Sequence, residues 1–176
     1  MPNKSQASYE KVFSLIKDTL VKNDISYNWE GHKWMTDFEA GFEFQTFSQI
    51  LTFIVSGMRN GISSVFPDVH LLGCFFHYSQ QIIKRMKKAG FQATYNKDDE
   101  FNAFIRRCCS LPFVPQHMMD QALNILQKKA QNMKEEKTQK FSYSLLDYLK
   151  STWVSGCFSV QDWNLFDIDC QVISCF

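Results

Sequence analysis

The chain lacks a surplus of charge of either sign: 19 Lys and Arg stand against 18 Asp and Glu, a net charge of +1. An overall electrostatic argument for a nucleic-acid or membrane-surface partner is thereby removed, so any such role must rest on a local patch. Long apolar runs are missing too. The longest, Ile50 to Val55, is broken by Thr52 and falls far short of the ~20 residues that a membrane span requires. The start, Met1-Pro2-Asn3-Lys4-Ser5, has no apolar segment of the secretory kind, so the expectation is an intracellular protein, nuclear or cytoplasmic. The six cysteines (Cys74, Cys108, Cys109, Cys157, Cys170, Cys175) have no regular framework spacing, which favours reduced thiols. There is no Gly-rich phosphate loop, and neither Ser63-Ser64 nor Ser142 has a visible His-and-acid companion for nucleophilic catalysis.

What is present is 176 residues, 45% of them hydrophobic, enough for a real core. Tyr9, Val12, Phe13, Ile16 and Leu20 recur at steps of three and four, which predicts a helix from Ser5 to Asn23 with Ser5 or Ser8 as N-cap. His32 to Thr36 reads as a short strand ending at Asp37. Glu39 follows as an acid suited to the opening turn of a helix. Pro67-Asp68 marks a turn, Val69 to Phe76 is an apolar run of strand length, and His77 then opens a helix to Lys88 with Gly90 as its stop. Further helices are predicted over Asp98–Cys109, with Asp98 or Asp99 as cap, over Gln116–Lys137, and over Phe141–Trp153. Leu111 to Pro115 separates the first two. In an α/β sheet, groups at the carboxyl ends of adjacent strands converge on one crevice, so Asp37 and His77 are expected to share a site.

The string Thr36-Asp37-Phe38-Glu39, followed by Phe66-Pro67 and by Leu71-Leu72-Gly73-Cys74-Phe75-Phe76-His77-Tyr78-Ser79-Gln80, resembles the transposase domain of Mutator-like elements, the MULE transposases. The resemblance spans roughly Pro2 to Asp167. It implies a partial RNase H-like fold over 1–95, with strands near 32–37 and 69–76 and flanking helices, then an all-helical insertion over 96–166. Trp163-Asn164 resembles the family signal at the end of that insertion, and 167–176 departs from the pattern as a non-family tail. Residues 41–57 exceed the one-helix spacing of relatives, and are read as a translated non-coding insertion or an extension of the helix.

The family reaction is DNA strand cleavage and transfer, with three carboxylates holding two Mg²⁺ ions that activate the attacking and leaving oxygens. Asp37 corresponds to the second of those acids, which makes it the implied metal ligand and, with His77, the implied catalytic residue. The first and third acids would lie before Met1 and beyond Phe166. The chain is therefore expected to be inactive alone and not to hold Mg²⁺ tightly. Cys74 and His77 offer only two ligands, too few for structural zinc, so no zinc is expected. Cys74 is taken instead, with Lys84, Arg85, Lys87 and Lys88, as a candidate DNA contact, the basic run having as its plain alternative a favourable charge in the last turn of a helix. The rival to a transposase fragment is a domesticated, non-catalytic DNA- or protein-binding factor on the same scaffold; a purely helical scaffold protein with no nucleic-acid role is the third reading.

Overall fold

The computed structural model describes residues 5–25, 33–36, 48–156 and 158–168. It divides at Gly73 into two units, 1–73 and 74–176.

The first unit opens with α1 (Gln6–Lys22), whose N-terminus is closed by Ser5, the side chain accepting from the Ser8 N–H. The helix stops where Asp24 enters the left-handed region at φ 53° and the Ile25 N–H reaches back to the Leu20 carbonyl. Strand β1 (Lys33–Thr36), helix α2 (Ser48–Val65) and strand β2 (His70–Gly73) complete the unit. The two strands pair in parallel, with Lys33 opposite His70 and Thr36 opposite Gly73. α2 joins them as the crossover that a parallel pair requires. It runs unbroken through Gly57, where the expected insertion would have ended.

The core of this unit is Ile62, Phe66 and Val69, with Phe13, Trp34, Met58, Val65 and Leu71 packed against it. Trp34 and Phe66 lie 5.2 Å apart between ring centroids, and Phe13 is 6.3 Å from each. Three aromatic rings, from α1, β1 and the residue that follows α2, thus bury apolar area where the elements meet, at roughly 25 cal/mol per Å². α1 approaches α2 closely at Gly61, where a Cβ would stand 2.9 Å from that of Tyr9. Lys17 then reaches across from α1 to the Val65 carbonyl (3.0 Å), placing a cation on the carbonyl end of α2.

The second unit is helical: α3 (Phe75–Lys88), α4 (Gln92–Lys97), α5 (Asp99–Cys109), α6 (Met119–Gln131), α7 (Glu136–Tyr148), a π-helical turn over Leu149–Val154, and the short α8 (Val160–Trp163). The helices bury apolar stripes: Tyr78, Ile82 and Met86 on α3; Phe101, Phe104, Ile105 and Cys108 on α5, as their spacing predicts; and Met119, Leu123, Leu126 and Ala130 on α6, where Ala122 of the stripe expected from the spacing is only half-buried. Asp98 caps α5, accepting from the Glu100 and Phe101 N–H groups. Tyr78 lies flat on Trp163 (centroids 5.3 Å, interplanar 9°), and the Trp163 indole N–H donates to the Trp153 carbonyl. Asn164 donates to the Val114 carbonyl and the Leu165 N–H to that of Pro112, so the Trp-Asn pair ties the α8 segment to the Pro-rich break after α5.

Three expectations are corrected here. The strand expected over 69–76 pairs only from His70 to Gly73, and α3 begins at Phe75, so Cys74 is a helix N-cap and His77 sits in the first helical turn. An apolar run of that length is compatible with either structure, and here the spacing of Tyr78, Ile82 and Met86 commits its second half to a helix face. The helix expected over Gln116–Lys137 is shorter, α6 ending at Gln131, and the chain turns back over Asn132 to Glu135 into α7, so that the two helices form a hairpin. The helix expected over Phe141–Trp153 begins at Glu136 and changes to the π-helical turn at Leu149. The chain is α/β only in the coarse sense: a two-stranded parallel sheet among the described residues, and otherwise helices. No described helix is long and apolar enough to cross a membrane.

Candidate functional site

The carboxyl edge of the sheet is built by Thr36, Leu71, Leu72 and Gly73. Thr36, 6% exposed, donates its hydroxyl to the Leu72 carbonyl (3.2 Å) and accepts from Arg59 Nη1 (2.8 Å), while Arg59 Nη2 donates to the Leu71 carbonyl (3.3 Å). Arg59 was not anticipated from the sequence. The available signal was its position three and seven residues before Ile62 and Phe66, which makes it a cation on the apolar face of an amphipathic helix. The described edge therefore presents a hydroxyl and a guanidinium. Asp37 and Glu39 lie outside the described residues, as do Trp29, His32, Cys157, Cys170 and Cys175, and with Asp37 goes the expected pairing with His77. Among the described residues no group of three or more His, Cys, Asp or Glu side chains could hold a metal ion.

In the second unit, Cys74 is 2% exposed at the N-cap of α3 and makes no side-chain capping bond. His77, two residues into α3, is half-buried and meets the Phe76 ring edge-on at 5.5 Å. Lys84, Arg85, Lys87 and Lys88 are all exposed on the last two turns of the same helix. Arg85 lies over the Tyr148 ring, its guanidinium carbon 3.6 Å from the centroid, in a cation–π contact. With Lys88 it forms one wall of a groove of about 240 Å³ completed by Ala89, Phe141, Ser144 and Leu145. Arg106 and Arg107, exposed at the end of α5, add basic charge to this unit that the sequence reading passed over.

The remaining candidates have structural duties. A shallow cavity of about 640 Å³ is lined by Lys97, Asp98, Asp99, Glu100, Lys134 and Glu135 among others; its charges are mixed and Asp98 is committed to capping. Cys109 has its thiol pushed up to about 11 by burial, and burial raises Cys108 further, so neither is a ready nucleophile at neutral pH. His70 and His117 are exposed. Set against protein-family models, curated proteins and solved structures, the chain matches none.

Proposed function

We propose that the chain is a Mutator-like transposase piece that engages duplex DNA through α3 without cutting it, its two strands and the helices α1 to α3 being part of an RNase H-like core and α4 to α8 the helical insertion. The observation that carries this reading is the parallel register of β1 and β2. It aligns Thr36 with Gly73, the residues that immediately precede Asp37 of the Thr-Asp-x-Glu string and Cys74 of the Cys-x-x-His string. Four exposed cations, Lys84, Arg85, Lys87 and Lys88, follow in the sequence on α3, side chains of the kind that hold a duplex backbone. Asp37 stands at the second acid of the family pattern, and one carboxylate by itself cannot position two Mg²⁺ ions.

The test is duplex binding by the 176-residue chain across a salt series. Affinity is expected to fall linearly in log–log form, with a slope of about −0.9 for each phosphate neutralised, and neutralising Lys84, Arg85, Lys87 and Lys88 together should abolish the dependence. Salt-independent or undetectable binding removes the reading. Incubation of supercoiled DNA with Mg²⁺ or Mn²⁺ should leave it intact; nicking that disappears in Asp37→Ala would replace a binding role with an enzymatic one.

A further inference from the structure

The end of α7 departs from its own sequence pattern. Thr138, Ser142, Leu145, Leu149 and Trp153 are buried, and their spacing of four, three, four and four is that of an α-helix continued to Trp153. The backbone takes another course. Over Leu149–Val154 it winds as a π-helix, and the Ser155 N–H donates to the Lys150 carbonyl, five residues back, at 2.9 Å. In an α-helix it would donate to the Ser151 carbonyl. The turn thus holds one residue more than the pattern calls for, in a rare form found mostly as single turns within α-helices.

A local preference of this kind is overridden where tertiary contacts outweigh it. Here they come from the segment Ser159 to Leu165. The Trp163 indole N–H donates to the Trp153 carbonyl at 2.6 Å, while its ring lies flat on Tyr78 and edge-on to Trp153 at 6.3 Å. Asn164 and the Leu165 N–H fasten the same segment to the carbonyls of Val114 and Pro112, each at 2.7 Å. Trp163 and Leu165 are both buried. The point at which the Trp153 carbonyl is met is therefore fixed by α3 and by the break after α5. A helix run on in the α register would set that carbonyl at a different angle about the axis. Leu149 and Trp153 stay on the buried side in either register, so a few hydrogen bonds decide between the two.

We propose that residues 159–165 form a strap that selects the hydrogen-bond register of α7. Docked, the strap holds Leu149–Val154 in the π form; released, it lets the helix run on in the α register that its own spacing favours. The docking of the strap and the winding of the helix end are then one two-state element. This concerns the second unit by itself and stands independently of the duplex-binding reading.

The experiment uses the whole chain. Scalar coupling across the hydrogen bond of the Ser155 amide, measured by NMR, names its acceptor, and amide exchange at Leu165 reports whether the strap is docked. Trp163→Phe with Asn164→Ala keeps a ring for Tyr78 and removes two of the strap's bonds. Leu165 exchange should then quicken about tenfold or more, and the Ser155 coupling should pass from Lys150 to Ser151. Deletion of Ser151 is the complementary change, since this residue is exposed and its hydroxyl bonds within its own helix, to the Tyr148 carbonyl. With the surplus residue gone, Ser155 reaches Lys150 as an ordinary α bond, and Trp153 stands three residues after Leu149, still on the buried face. That protein should keep Leu165 protected and unfold at a higher denaturant midpoint than the parent. A Ser155 coupling that stays on Lys150 while Leu165 exchanges freely would overturn the proposal, as would unchanged Leu165 protection in the double variant. Where the double variant fails to fold, the deletion decides alone: a lower midpoint with Leu165 unprotected would show that the π turn is not imposed by the strap.

Discussion

The Arg59 guanidinium bridges Thr36 and Leu71, donating from Nη1 to the Thr36 hydroxyl at 2.8 Å and from Nη2 to the Leu71 carbonyl at 3.3 Å. One side chain of α2 therefore fastens the carboxyl ends of both strands. A parallel pair of four residues each has few ladder bonds of its own, so a clamp of this kind contributes a large share of what holds it.

Arg59→Ala should destabilise the first unit by about 1–3 kcal/mol, the range for leaving a buried hydrogen-bond partner unsatisfied. Thr36→Val, which removes the shared hydroxyl, should cost a similar amount, and the double variant less than the sum of the two because both act on one bond. Amide exchange at Met35 and Leu72 reads this directly. Unchanged protection in Arg59→Ala would show that the strands are held without the clamp.

Gly156 and Gly90 are both required, for different reasons. At Gly156 a Cβ would stand 2.4 Å from the carbonyl oxygens of Ser151 and Thr152, where the π-helical turn closes, so the obstacle is space. At Gly90 no atom of the described residues beyond its chain neighbours lies within 4 Å of where a Cβ would stand, and the obstacle is the φ of +82°. Gly156→Ala should cost about 1–3 kcal/mol as overpacking, and Gly156→Asn no less. Gly90→Ala should cost about 1–2 kcal/mol, and Gly90→Asn should recover part of it, since Asn tolerates the left-handed region. Denaturant midpoints of the four variants test the distinction; equal recovery by Asn at both positions would contradict it.

Burial raises the Cys109 thiol from 9.0 to about 11, and Cys108 and Tyr78 are raised in the same direction, also by burial first. The folded chain therefore keeps these protons after the unfolded chain has released them. Stability contributed in this way is whole below pH ~9 and declines as pH rises toward 11 and beyond. Urea midpoints measured between pH 7.5 and about 10.5 should fall, less steeply in Cys109→Ser than in the parent. Parallel curves for the two proteins would mean that the Cys109 thiol does not titrate differently in the folded state.

Much of the second unit could be read without a structure, because its helices are long, amphipathic and marked at their ends. Asp98 opens α5, Gly90 follows α3, and the stripe of α5, with that of α6 apart from the half-buried Ala122, falls inward where the periodicity put it. Ser5 and the run Tyr9-Val12-Phe13 define α1 in the same way, through capping and a 3.6-residue period that are local properties. Tertiary packing alone decided the rest. Whether Cys74 to His77 ends a strand or begins a helix depends on which face Tyr78 must bury, which is not local. The turn between α6 and α7 follows from the area gained when their two faces meet, and the engagement of Arg59 with two strands follows from a crossover that brings distant residues together. Local periodicity chooses the kind of element; only the burial shared between elements determines where each one stops and which polar group it carries to a neighbour.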